Sequence, residues 1–322
     1  MGNTHMLYPI SVPIRDSVRD LLGYINSKGD VVVSPLYVAC SHFFEGKAAV
    51  IDASGKSGFI DLAGKQAIPH HFEGLGRFYG GFCAIDGGYI DHVGRWLIEP
   101  AFLVTSVFSE GLAFASLDGD SFGFIDISGR LVIPASFRQC RPFSEGLAAA
   151  RTEDGWGYID REGDFTIPAV FEDTYAASFQ DGLAGVKIDG RWGLVNREGR
   201  FVVKPIYEEL RPFHEGRACV RSNKKWGFID TDGTLVLECR FDELGSLNSG
   251  VAPAKIDGKA GFLSDEGRWI IEPKFDRCYG FYGDLAVARQ EKVYSYLRHS
   301  GEVVWASQPG AQIQYPPLSF LG

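Results

Sequence analysis

A chain of 322 residues with 45% hydrophobic and 23% charged residues has ample apolar material for a packed interior, and its mean hydropathy of −0.05 excludes both a disordered chain and a membrane-embedded helical one. The formal charge of −9 disfavours nucleic acid and anionic membranes as general partners, since those surfaces need a basic protein face to release counterions; a basic protein partner fits better. Six cysteines with no CxxC pair and no zinc-ligand spacing point to a reducing, cytoplasmic setting, and 40 glycines, nearly twice the usual share of about 7%, point to short strands joined by many tight turns.

Along the chain, residues 1–20 form a lead-in without an apolar signal-like core. From there a unit of about 34 residues recurs nine times. Its centre reads LGYINSKGDVVVSPLY in the first copy, SGFIDLAGKQAIPHHF in the second, GGYIDHVGRWLIEPAF in the third and WGYIDREGDFTIPAVF in the fifth. The first glycine falls at Gly23, Gly58, Gly88, Gly123, Gly157, Gly193, Gly227 and Gly261, and Ser295 replaces it in a degenerate ninth copy, so the steps are 35, 30, 35, 34, 36, 34, 34 and 34. The short third copy, AIDGGYID, predicts a clipped hairpin. A second signature precedes most copies, FSEGLA at Phe108 and Phe143, FQDGLA at Phe179 and FHEGRA at Phe213. Each unit therefore predicts three strands, through GLAAAR, WGYID and DFTIPAVF in the fifth copy. The array spans 21–307, and 308–322, with Pro309, Pro316 and Pro317, reads as a terminal cap or tail.

The register of Trp-Gly-Tyr/Phe-Ile-Asp, a following glycine, Ile-Pro and an aromatic resembles the WG (or KWG) repeat family of bacterial proteins over roughly residues 21–305. Only the fifth, sixth and seventh copies keep the namesake pair, at Trp156-Gly157, Trp192-Gly193 and Trp226-Gly227. The resemblance implies a repeat fold and says little about activity.

Position by position, the repeat has physical content. In the middle strand the residue after the first glycine is aromatic in eight copies and the next is aliphatic in all nine, so both strand faces are apolar and neighbouring copies must stack. The Asp or Asn three residues before the invariant second glycine predicts turn bonding; a calcium row is the sharper reading, but one carboxylate per turn falls short of the six to eight oxygens Ca²⁺ takes. The third and eighth copies carry Trp96 and Trp269 eight residues after the first glycine in place of the WG indole, which predicts a shared pocket reached diagonally across the hairpin. Alanines at period two (Ala148 and Ala150, Ala286 and Ala288) predict crowding around the preceding strand.

That strand ends in the candidate binding residues. Six positions before the first glycine position, five consecutive copies carry a base: Arg151, Lys187, Arg221, Lys255 and Arg289. They predict a basic row that recognises an anionic surface or peptide. The acids Glu73, Glu172, Glu208, Asp242 and Asp276, which follow the third-strand aromatic, offer the competing prediction of internal salt bridges. Glu45, Glu110, Glu145, Asp181 and Glu215 of the EG turns read as solvated loop tips. His70 and His71, with His42 and His92, do not make a metal site, because adjacent strand residues point to opposite faces; Cys40, Cys140 and Cys278 share one repeat position and read as small core residues.

No phosphate-binding GxxxxGK[ST], HExxH, GxSxG or Rossmann fingerprint occurs, and no helical periodicity of useful length. The expected fold is all-β, nine three-stranded antiparallel repeats in an open twisted solenoid, preferred to a propeller-like ring because propeller units of four strands usually run to 40 or more residues. The expected function is a non-enzymatic, cofactor-free scaffold for protein binding, of the inhibitor or immunity type, toward a partner with a basic or mixed-charge surface. A glycan or cell-wall-fragment module, which needs exposed tryptophans, and a hydrolase with carboxylates at a central opening are the alternatives.

Overall fold

A computed structural model describes residues 6–12, 20–174 and 178–309. Among them the chain is all strand and turn, in nine small antiparallel sheets, each formed by strands consecutive in sequence. The fifth sheet shows the pattern: Gln139–Cys140, Ala148–Arg151, Trp156–Ile159 and Phe165–Phe171, paired in that order. The strand count corrects the three-stranded expectation. Seven of the nine sheets have four strands, the extra one leading the sheet ahead of the alanine-bearing strand, as at Ala39–Cys40, Val104–Thr105 and Glu243–Leu244. Four strands fit a short period because several of these leading strands are two residues long and the connections are tight turns. In the first sheet part of the lead-in, Tyr8–Val12, pairs with Leu21–Ile25. In the third sheet the hairpin is indeed clipped, Phe82–Ile85 to Gly88–Ile90, with Trp96–Ile98 as a shortened last strand.

The two glycines of each repeat have separate jobs. The first sits opposite a bulge in the last strand, where the register shifts between Trp156 and Tyr158. A Cβ on Gly157 would lie 2.6 Å from the carbonyl oxygen of Ile167, so only glycine admits that approach. The second glycine takes a left-handed φ in its turn and also lies against the preceding sheet. At Gly163 (φ 91°) a Cβ would meet Ile133 Cγ2 at 2.8 Å, and at Gly64 it would meet Val33 Cγ2 at 2.7 Å. The neighbouring Asp uses its Oδ1 as the turn requires: Asp160 accepts from the amides of Glu162 and Asp164 at 3.1 and 2.9 Å. In the same turn of the fourth sheet, hydrogen bonds led by that from Ser128 hold the Asp126 carboxyl down at about 2.

Core clusters straddle consecutive sheets. Tyr158, Ile167 and Phe171 of the fifth sheet pack with Phe179, Ala184, Val186 and Val195, which belong to the sixth copy. That is the stacking the doubly apolar middle strand called for.

By packing, the chain forms two compact units, one of residues up to Pro100 together with those from Ile270 onward, the other of Ala101–Trp269. The make-up of the first unit overturns the open solenoid. In an open array the first and last copies share nothing, yet here Tyr8, Ile10 and Ile25 of the first sheet share a core with Leu285, Val287 and Tyr296 of the ninth. Tyr296 Oη donates to Pro9 O at 2.6 Å, Arg298 Nη2 to Ser27 O at 3.0 Å, and the Asp284 amide to Tyr8 Oη at 3.1 Å. Gly29 of the first sheet lies against Val304 of the ninth, as Gly64 and Gly163 lie against their predecessors. The fold is a β-propeller whose last sheet is the neighbour of its first.

Candidate functional site

The candidate bases occupy one register position, near the end of the alanine-bearing strand, where the leading strand and the middle strand flank them. Arg151 faces Gln139 and Trp156, Arg221 faces Glu209 and Trp226, Lys255 faces Glu243 and Ala260, and Arg289 faces Arg277 and Tyr294. Lys187 bridges to Asp173 and faces Trp192. Arg151, Lys187, Arg221 and Lys255 belong to the Ala101–Trp269 unit, and Arg289 to the other.

Their charges are not equally spent. Arg221 lies 3.3 Å from Glu208 and 2.5 Å from Glu209, and Lys255 lies 3.5 Å from Glu243. Arg151 reaches only the Gln139 amide oxygen at 3.4 Å, and Lys187 stands 6.0 Å from the centre of the Trp192 ring. Among the described residues the Nε atoms of Arg221 and Arg289 are both buried without a hydrogen-bond partner. The acids expected to neutralise this row serve mainly elsewhere. Four of the five cap the following hairpin: the Gly190 amide donates to Glu172 at 3.2 Å, the Lys224 amide to Glu208 at 3.0 Å, the Gly258 amide to Asp242 at 3.4 Å and the Glu291 amide to Asp276 at 2.6 Å. Their ion pairs run largely to a different row of bases, Lys56 with Glu73 at 3.0 Å and Lys225 with Asp242 at 2.5 Å.

The EG-turn residues are largely exposed, as expected of loop tips, and their carboxylates have a structural role as well. Glu45, Glu110, Glu145 and Glu215 take left-handed φ values of 49° to 53° ahead of a glycine that does the same, as a two-residue hairpin turn demands. Their carboxylates reach forward to the next copy's turn: Glu215 accepts from the Ser249 and Gly250 amides at 2.7 and 2.8 Å, Glu45 from Gly80 and Gly81 at 2.6 and 3.1 Å, and Glu145 from Gly182 at 3.0 Å. Beside them Ser109 and Ser144 donate to the carbonyls of Phe143 and Phe179 in the following copies.

The tryptophans serve packing. Trp156, Trp192 and Trp226 are buried. Trp96 and Trp269, half-buried, stand edge-on to the terminal aromatic of the preceding sheet, Phe72 at 5.8 Å and Phe241 at 6.0 Å, and the Trp96 ring also lies against its own hairpin, where a Cβ on Gly88 would meet it at 2.9 Å. The histidines stay apart in role: His92 stacks on Phe78 and pairs with Glu45 at 3.1 Å, His70 bonds Gln66, and His42 lies against Tyr282. Among the described residues no three His, Cys, Asp or Glu side chains gather as metal ligands. All six cysteines are free thiols, and burial pushes those of Cys40 and Cys278 up to about 12.

A family model described as a WG containing repeat matches eight tandem segments: residues 23–52, 58–85, 88–119, 122–155, 156–192, 192–226, 226–259 and 261–294. No curated protein sequence matches the chain. Among solved structures it is similar to one described as a eukaryotic initiation factor, with a TM-score of 0.63 at 10% identity over 93% of this chain and 96% of that one. It also matches BamB from Moraxella catarrhalis, with a TM-score of 0.42 at 12% identity over 92% and 95% of the two chains. The WD40 β-propeller domain of Doa1 matches with a TM-score of 0.36 at 12% identity over 67% and 88%. At such identities the first of these likenesses concerns the fold alone, and it agrees with the sheet-by-sheet geometry above.

Proposed function

From the premise that this chain belongs to the WG containing repeat family, we propose that it is a non-enzymatic, cytoplasmic scaffold that binds another protein, of mixed or basic surface charge, in the manner of an inhibitor or immunity partner. The observation that carries this reading is the row of bases at one register position, in which Arg151 and Lys187 form no ion pair with a carboxylate among the described residues. The row offers fixed points for acidic side chains of the partner, while the net charge of −9 favours a basic surface around them.

The competing readings find less support. A glycan platform needs exposed indoles, and the three WG tryptophans are buried. A carboxylate hydrolase needs uncommitted acids, and the recurring ones accept bonds from backbone amides. The six free cysteines support a reducing compartment.

Affinity capture from the native host with mass spectrometry supplies the partner, and calorimetry with the purified partner tests the surface. The double variant Arg151→Glu with Lys187→Glu should weaken binding by about tenfold or more while the thermal midpoint of the variant stays near wild type. Unchanged affinity removes the row from the interface.

A further inference from the structure

The ninth sheet departs from the others at one point. Where Arg221 and Lys255 face Glu209 and Glu243, and Arg151 faces Gln139, Arg289 faces a second arginine, Arg277, directly across the ladder. Directly opposed residues share a face of the sheet, with Cβ atoms about 5 Å apart, and like charges so placed repel. Arg277 is exposed and Arg289 half-buried. Among the described residues the Arg289 Nε, like that of Arg221, is buried without a hydrogen-bond partner, and the Arg277 guanidinium makes its aromatic contact with Tyr279, at 5.3 Å. Tyr294 flanks Arg289 on the other side. Two arginines, ten N–H donors between them, thus share a ladder position where other sheets pair the base with an acid or an amide.

We propose that Arg277 and Arg289 form an anion site for a phosphoryl dianion, the shared chemistry of free phosphate and of a phosphate monoester on a partner. Charge decides the class. A dianion matches two arginines, where a carboxylate matches one. Its oxygens accept from both forks at once, which a planar carboxylate engaged by a single fork does not. Ligand binding relieves the repulsion between the two opposed arginines. The site deepens the binding reading above, on which it rests only in that Arg289 belongs to the same row.

The test is calorimetry on the full chain at fixed ionic strength, with inorganic phosphate in one arm and a short phosphoserine peptide in the other. Saturable binding in the phosphate arm alone identifies a free anion as the source; binding of the peptide identifies a monoester. Peptide affinity should fall about fourfold from pH 7.5 to 5.5 as the monoester, with a second pKa near 6, loses its second charge. Arg289→Ala should weaken either ligand by about tenfold or more. Arg277→Glu recreates the Glu209–Arg221 arrangement, so it should bind neither ligand yet melt at or above the temperature of the unliganded wild type. Arg277→Gln, which recreates Gln139 opposite Arg151, provides a second fold-compatible variant. Silence in both arms, an equal response to acetate, or full binding by both Arg277 variants overturns the proposal. The double variant of Arg151 and Lys187 should keep phosphate binding, so failure of the partner interface and failure of this site are separable.

Discussion

Gly163 shows how one residue can be held by two independent constraints. Its φ of 91° excludes an ordinary side chain, and Ile133 of the preceding sheet fills the space a Cβ would take. Gly182, at φ 77°, has the first constraint and not the second, because nothing lies within 4 Å of its absent Cβ. In urea denaturation Gly182→Ala should cost about 1–2 kcal/mol, the left-handed penalty alone, and Gly163→Ala about 1–3 kcal/mol beyond that. Equal losses would mean that Ile133 gives way freely. These positions were legible in the sequence because the backbone leaves one residue type for each, and the turn aspartates were legible for the same reason. Arg277 was not, since it differs from Gln139, Glu209 and Glu243 at a position whose partner, Arg289, is named only by strand pairing.

Among the elements, the EG turn illustrates a signal that is only half legible: the exposure of its glutamate can be read from the sequence and its bonding cannot. Its glutamate recurs because a left-handed residue that also carries a carboxylate can close its own hairpin and hold the next copy's turn. The acceptor pattern was invisible because its partners are backbone amides about 35 positions downstream, and amides have no sequence identity. Glu215→Ala should destabilise the fold by about 1–2 kcal/mol. Local hydrogen exchange should accelerate at the Ser249 and Gly250 amides, which is the more specific readout; unchanged exchange there would assign the glutamate no such role. The leading strand escaped notice for a different reason. At two residues in sheets such as the second, fourth and fifth it has no room for a period, and residues such as Cys40 and Cys140 mark it only by their burial. Those thiols, held protonated, should resist alkylation at pH 8 until denaturant is added.

For the whole molecule, the meeting of the first and ninth sheets was the feature least open to sequence reasoning, because its contacts use the same residue types as every other junction. One signal was available: an open array needs polar terminal copies, and neither Tyr8–Val12 nor Val303–Ala306 is polar. Two measurements address this junction. Tyr296→Phe, which leaves the Pro9 carbonyl without its donor, should cost about 1–3 kcal/mol, and removing residues 1–12 should lower the thermal midpoint further by uncovering Leu285 and Val287. His42, beside Tyr282, adds a pH dependence: burial pulls its imidazole down from 6.5 to about 4. Its neutral form is favoured in the folded chain, so that stability is intact above pH 6.5 and is lost as the pH falls toward 4, where the unfolded chain binds the proton first. His42→Gln should flatten the fall in melting temperature over that interval.

Tyr282 occupies the position that Ser109 and Ser144 hold in their turns, and its hydroxyl makes the same kind of bond, donated to a turn phenylalanine carbonyl, here that of Phe43 at 2.8 Å. The Phe43 turn belongs to the second copy, so the ninth copy's hydroxyl passes over the first, and a phenol ring supplies the length that a serine lacks. The last copy is therefore not interchangeable with those before it. A duplication in the interior would splice like to like and could be inherited without further change, whereas duplicating the ninth copy would set a long arm where a short one belongs. Growth of this gene by whole repeats is expected from within the array and not at its end.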